Sequence, residues 1–127
     1  VAEQTIKCMN KKGVIVKNAK ILILGITFKE NCPDIRNTKI VDIYHTFKEY
    51  TENITIYDPW ANPRAVEHEY GIKIVSSLAE KEKFDAVILG VAHAEFLSLN
   101  VKSLIKDGGV IYDVKGVFKR EIIDGRL

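Results

Sequence analysis

The densest run of chemically capable side chains is Gly25-Ile26-Thr27-Phe28-Lys29-Glu30-Asn31-Cys32-Pro33-Asp34-Ile35-Arg36-Asn37-Thr38, directly after the apolar run Ile21-Leu22-Ile23-Leu24. It offers two cations, Lys29 and Arg36, ahead of a segment with helical apolar spacing. A compact ammonium and a planar guanidinium fork both partner phosphate oxygens, and the free N–H groups of a helix N-terminus add to the attraction for an anion. The competing reading is that both cations are solvated, or pair with Glu30 and Asp34. A dinucleotide cradle requires three glycines, and only Gly25 stands here.

Other candidates are weaker. Cys32 lies among the loop cations, which could lower its pKa, but it reads first as a spectator; Cys8, between Ile6 and Met9, reads as a packing residue. Asp58 closes an apolar run where an acid could hold a ribose. It follows Gly25 by 33 positions rather than about 20, and Pro59 favours a turn. His93 and Glu95 are only half of a metal ligand set, so capping or a loop hydrogen bond is expected of His93. Trp60 and Phe96 are expected to pack.

These residues need a frame. The runs Ile21–Gly25, Ile54–Tyr57, Ala86–Gly90 and Val110–Tyr112 are short, β-branched and continuous, as in strands buried on both faces. Ile40, Ile43, Tyr44 and Phe47 mark one helical face, with Asn37 or Thr38 as cap. Pro63 opens a second helix with stripe Ala65, Val66 and Tyr70, which Gly71 stops before a short strand at Lys73–Val75. Helices are also expected over Ser77–Lys83 and Val101–Lys106, with Asp107-Gly108-Gly109 turning into the final strand. Ala2–Lys12 reads as the end of a helix and Gly13–Asn18 as a connector. The alternation predicts an α/β fold: an open parallel sheet of about five strands with helices on both faces, preceded by a helix end. Ligands of such sheets bind beyond the carboxyl ends of the strands.

Composition sets the outer limits. With 127 residues, 46% apolar and 28% charged, the chain is one ordinary globular domain. Lys+Arg 19 against Asp+Glu 17 gives +2, without the clustered charge that nucleic acid demands. No apolar run approaches the roughly 20 residues of a membrane span. Two cysteines are too few for a disulfide framework or a zinc site. The first residues lack a signal-peptide core, so a reducing, cytoplasmic setting is expected. A chain opening on Val1 rather than Met is expected to be part of a longer one.

Taken together, Gly25-Ile26-Thr27-Phe28-Lys29, Asn31-Cys32-Pro33-Asp34-Ile35-Arg36-Asn37-Thr38, Tyr57-Asp58-Pro59, Val91-Ala92-His93-Ala94-Glu95-Phe96 and Tyr112-Asp113-Val114-Lys115-Gly116 resemble the C-terminal UDP-binding domain of the UDP-glucose/GDP-mannose dehydrogenase family. The resemblance implies a Rossmann-like domain of a nucleotide-sugar 6-dehydrogenase, which oxidises a sugar's C6 alcohol to a carboxylate with two NAD. It implies residues 1–18 as the end of a central helix and connector, and 19–127 as the UDP-sugar-binding domain. It implies an absent N-terminal domain that binds most of the NAD and carries the nucleophilic cysteine segment, and a homodimer built on the central helix. By position, Phe28 and Lys29 match residues that touch the UDP-sugar, Arg36 matches the arginine that reaches NAD, and Lys115 stands at a basic substrate contact. The Asp113-Val114-Lys115-Gly116 form is more like the UDP-N-acetylhexosamine branch than the UDP-glucose one. The alternatives are a stand-alone nucleotide-binding or receiver-like regulatory module, with Asp58 and Lys115 after strands, or a plain oligomerisation domain. A receiver needs an acidic cluster after the first strand, where this chain has Phe28-Lys29.

Overall fold

A computed structural model describes residues 1–79 and 81–127. Helix α1 (Ala2–Lys11) leads into β1 (Ile21–Leu24), α2 (Ile40–Lys48), β2 (Ile54–Tyr57), α3 (Pro63–Tyr70), β3 (Phe84–Leu89), the single turn α4 (Ala94–Leu97), β4 (Ile105–Asp113) and β5 (Gly125–Arg126). The strands form one parallel sheet in the order β2-β1-β3-β4-β5. The chain leaves β1 toward β2 on one side and crosses back to β3 on the other, so the sheet changes direction between β1 and β3. That switch opens a crevice at the carboxyl ends.

The continuous apolar runs divide by period two. Ile21, Ile23, Ile56, Ala86, Ile88, Val110 and Tyr112 pack with α1, α2 and α3 on one face. Leu22, Leu24, Val87, Leu89 and Ile111 pack on the other with Phe96, Val101 and Phe84. Side chains of this size contribute roughly 1.5–3 kcal/mol each when fully buried. The second face is covered by α4 and the 3-10 turns Val101–Leu104 and Arg120–Ile122 rather than by long helices.

Helix punctuation follows the sequence at α3. Asn62 Oδ1 accepts from Arg64 N at 2.9 Å and Ala65 N at 3.3 Å, Pro63 opens the helix, and Gly71 closes it at φ 69°. Of the expected stripe, Val66 is buried, Tyr70 half-buried and Ala65 exposed. At α2 the Thr38 hydroxyl accepts from Ile40 N at 3.2 Å. Helix α1 buries Ala2, Thr5, Ile6 and Met9; Lys12 Nζ donates to Gly109 O at 2.7 Å and pairs with Asp124 at 2.9 Å, and the Tyr112 hydroxyl donates to Gln4.

Several local expectations are corrected. The helix over Ser77–Lys83 does not form among its described residues: Lys81 takes φ 64°, a left-handed conformation no helix tolerates, and Glu80 lies outside the described residues. Val101–Leu104 is a 3-10 turn, and the chain is already strand at Ile105. Asp107-Gly108-Gly109 lies inside β4, at the register irregularity opposite Phe84 and Ala86, rather than before it. From Lys73–Val75 only Val75 bridges the sheet, at Tyr57, and the fifth strand is Gly125–Arg126, paired with Tyr112 and Asp113.

Candidate functional site

A cleft of about 270 Å³ opens at the carboxyl edge, between the loops that follow β1, β3 and β4 and the start of α2. Ile40, Ile43 and Val91 make it apolar, Phe28 and Thr27 border it, and Lys39 and Lys115 supply its charge. No carboxylate side chain lines it among the described residues. An apolar cleft whose charged side chains are lysines suits a ligand that carries a flat or apolar part and an anionic part.

Two glycines make the crevice close enough to form. A Cβ on Gly25 would stand 2.6 Å from Val91 Cβ, and φ is +95° there; a Cβ on Gly90 would stand 2.6 Å from Ile40 Cδ1. Gly25 therefore serves the packing of Val91 against β1, and the space a pyrophosphate would need is taken. With one glycine, filled in this way, the loop does not fit NAD as a phosphate cradle.

The structure brings Phe28 and Lys115 to one cleft, but not Lys29 or Arg36. Phe28 is 56% exposed, large for an aromatic ring with nothing to cover it. Lys29 is exposed on the same loop and forms no ion pair among the described residues. Arg36 faces a neighbouring hollow with Thr38, Asp42 and Tyr70. Its Nε and Nη2 each donate to Asp34 at 3.0 Å, and its backbone N–H donates to Oδ1 at 2.9 Å. The Arg36 side-chain bonds, then the backbone one, hold the Asp34 carboxyl down at about 2, and the same bond raises Arg36. The competing reading of an Asp34 pair thus describes the chain as it stands, with the guanidinium still 83% exposed.

Beneath these loops lies a buried polar cluster. Asp58 and His93 are each 0% exposed and Thr27 is 1% exposed. Asp58 Oδ2 accepts from Ile26 N at 2.7 Å, Thr27 N at 3.3 Å and His93 Nε2 at 3.0 Å. Its Oδ1 accepts from Trp60 N at 2.7 Å and Ala61 N at 3.0 Å. Burial pushes the Asp58 carboxyl up, but the His93, Ile26 and Trp60 donors together outweigh it, and the net shift is downward. His93 Nδ1 accepts from Asn31 N at 2.9 Å. Trp60 stacks on the His93 ring with centroids 6.0 Å apart and donates from Nε1 to Glu95 at 3.0 Å, which lowers the Glu95 carboxyl.

Asp58 is thus structural, as Pro59 suggested, and is no phospho-acceptor, being sealed from solvent by five donors. His93 sits at the N-cap position of α4 without capping it. Both its nitrogens are occupied, so it has none left for a metal, and no group of three or more ligating side chains exists among the described residues. Trp60 is 38% exposed and Phe96 fully buried against Tyr57. Cys32 is half-buried and free.

At the end of β4, Asp113 does the equivalent work locally. It accepts from Lys115 N at 3.0 Å, Gly116 N at 2.8 Å and Phe118 N at 2.7 Å, fixing the loop that carries Lys115. Sequence reasoning missed Lys39, which precedes an apolar helical pattern and reads as an ordinary helix-start residue. It also missed Asn31, for which the sequence offers only the residue type: asparagine tolerates the positive φ, 55°, that it takes in this loop.

Residues 22–120 match the UDP-glucose/GDP-mannose dehydrogenase family, UDP binding domain. Over 130 residues the chain is 44% identical to a UDP-N-acetyl-D-glucosamine 6-dehydrogenase of Salmonella typhi, covering 100% of this chain and 30% of that protein. A UDP-N-acetyl-D-glucosamine 6-dehydrogenase of Pseudomonas aeruginosa is 41% identical over 130 residues, covering 100% of this chain and 31% of that protein. The chain thus spans about 30% of the length of these relatives. In fold it is similar to an NDP-N-acetyl-D-galactosaminuronic acid dehydrogenase from Methanosarcina mazei Go1, with TM-score 0.81 and 22% identity over 94% of this chain and 25% of that one. It is similar also to a UDP-D-ManNAc dehydrogenase from Pyrococcus horikoshii, with TM-score 0.76 and 22% identity over 98% of this chain and 29% of that one. With most of its length inside the matched stretch, the chain belongs to the UDP-glucose/GDP-mannose dehydrogenase family, and the part it represents is the UDP binding domain.

Proposed function

We propose that this chain is the C-terminal substrate-binding domain of an NAD-dependent nucleotide-sugar 6-dehydrogenase, and that its cleft takes the UDP part of the substrate. The observation that carries the reading is the cleft itself, lined by both Phe28 and Lys115, with lysines as its charged side chains among the described residues, and the family's UDP binding domain around it. Phe28 offers a face to a base, and Lys115 and Lys39 offer charge to phosphate, with Lys29 approaching from the same loop. The sugar we assign is UDP-N-acetyl-D-glucosamine, in keeping with what the two relatives at 44% and 41% identity are named for. The longer protein oxidises C6 to a uronic acid, in the cytoplasm, as a homodimer built on the central helix to which residues 1–18 belong; residues 19–127 are the UDP-sugar-binding domain, and neither nucleic acid nor membrane is a partner. Most of the NAD site and the catalytic cysteine lie in other parts of that protein, with Arg36 as this domain's contribution to the cofactor. The 127-residue chain alone is therefore inactive.

UDP titrated into the isotope-labelled chain tests the cleft. Amides around Phe28, Lys39 and Lys115 should shift, and Lys115→Ala should cost about 1.5–3 kcal/mol of affinity, the size of a charge-assisted hydrogen bond. Shifts confined to the amino ends of the strands, around Lys20 and Lys83, would remove the assignment.

A further inference from the structure

We propose that His93 is a positioning residue that docks the Phe28–Lys29 loop in its ligand-ready place through the bond from Asn31 N to Nδ1. The inference rests on the reading of the cleft as a UDP site and adds a residue that never touches the ligand. A backbone N–H can only donate, so the 2.9 Å contact from Asn31 makes Nδ1 the acceptor. The ring proton is then on Nε2, facing Asp58 Oδ2 at 3.0 Å and Thr27 Oγ1 at 3.1 Å. The Thr27 hydroxyl donates onward to Lys29 O at 3.0 Å, which frees its oxygen to accept. Every polar atom of the cluster finds a partner in this one tautomer.

The bonds reach the cleft by a short route. Asn31 is tied twice to the start of α4, by its N–H to His93 and by its Oδ1, which accepts from Ala94 N at 2.9 Å. The loop it belongs to is closed on itself by Phe28 N donating to Asp34 O at 2.7 Å. Phe28 and Lys29 have exposed side chains, so their place is set by backbone bonds rather than by packing. Among the described residues, His93 is the side chain that links this loop, through Nδ1, to the carboxylate of Asp58 just after β2, through Nε2.

Two amide variants separate the halves of the ring. His93→Asn can place an oxygen where Nδ1 accepts from Asn31 and gives up the Nε2 bond; His93→Gln can place its NH2 where Nε2 donates to Asp58 and gives up the Nδ1 bond. Both are studied by hydrogen exchange at the Asn31 amide and by UDP titration, alongside long-range 1H–15N spectra of the unaltered ring. Expected are an Nε2–H tautomer in the unaltered chain, a protected Asn31 amide and near-normal UDP affinity in His93→Asn, and a fast-exchanging Asn31 amide with affinity roughly five- to tenfold weaker in His93→Gln. That loss is the effect of one net hydrogen bond on the population of a binding-competent loop. An Nδ1–H tautomer overturns the proposal even if neither variant folds, and so does equal UDP affinity in two folded variants. Absence of UDP binding by the unaltered chain, with the tautomer and Asn31 protection as expected, would instead fault the reading of the cleft and leave the docking bond standing.

Discussion

Asp58, just after β2, and Asp113, at the end of β4, stand at the carboxyl ends of strands that β1 and β3 separate; both are fully buried and both collect backbone N–H donors, yet they organise the site in opposite ways. The donors to Asp113 come from Lys115, Gly116 and Phe118, within five residues of it. Asp58 draws on Ile26, Thr27 and His93, 31 to 35 residues away, as well as on Trp60 and Ala61. The first shapes one loop; the second joins three. A ligand edge built from several loops needs both kinds of carboxylate, because a well-formed loop is of no use unless its neighbours stand at a fixed distance.

The comparison breaks or sharpens most clearly with Asp58→Ala. Losing this carboxylate takes the acceptor from four backbone N–H groups and weakens the hold on His93, and each buried donor left unsatisfied costs about 1–3 kcal/mol. Together these are a large share of the 5–15 kcal/mol typical of a domain, so urea unfolding should show a sharply lowered midpoint. The acid limb of stability carries the same signature. The folded Asp58 carboxyl lies below its ordinary value, so the stability it contributes is complete above about pH 4, the usual unfolded carboxylate value, and is lost as pH falls through the lowered folded one. Melts from pH 5 down to 2 should therefore fall more steeply for the unaltered chain than for Asp58→Asn.

Asp113→Ala should cost less, about 1–3 kcal/mol, and show a different pattern. Amide shifts should stay within Val114 to Phe118 while UDP binding weakens through Lys115. If its midpoint drops as far as that of Asp58→Ala, the local-versus-joining distinction is wrong. The smallest effect is expected for Arg36→Ala, whose side chain is 83% exposed: stability within about 0.5 kcal/mol, and an Asp34 carboxyl that rises from about 2 when titrated by NMR. In the longer protein the same change should weaken use of NAD by about 1.5–3 kcal/mol, read from kinetics with NAD varied. Unchanged NAD parameters would end the cofactor role proposed for Arg36.

The same local and distant distinction explains what the sequence could disclose. Continuous runs such as Ile21–Leu24 and Ala86–Leu89 announce strands buried on both faces, and Asn62, Pro63 and Gly71 announce both ends of α3, because each signal is complete within a few residues. The two-residue strand Gly125–Arg126 has no pattern of its own; it exists through pairing with Tyr112 and Asp113. Ser77–Lys83 carries residues acceptable to a helix, and the backbone turn at Lys81 overrides them. At the sheet edge, the resemblance singled out Phe28 and Lys115, which line one cleft, while the placing of Arg36 in a separate hollow could not be read from the sequence. Asp58 could be recognised as a turn residue from Pro59. Its bond to His93 spans 35 residues and depends on strand order, which no spacing encodes.

For anyone wishing to reshape the cleft, the fit of Gly25 against Val91 and of Gly90 against Ile40 sets the terms. Val91 and Ile40 both form the cleft's apolar wall, and each is seated where a methyl group on the opposite glycine would be. Enlarging either glycine would move a wall residue before it changed any contact with a ligand. Libraries that vary only the exposed rim, Phe28, Lys39 and Lys115, would sample charge and stacking at constant width. Width itself is a property of the glycine–wall pairs, so altering it means changing two residues together, a smaller Val91 or Ile40 for every larger partner.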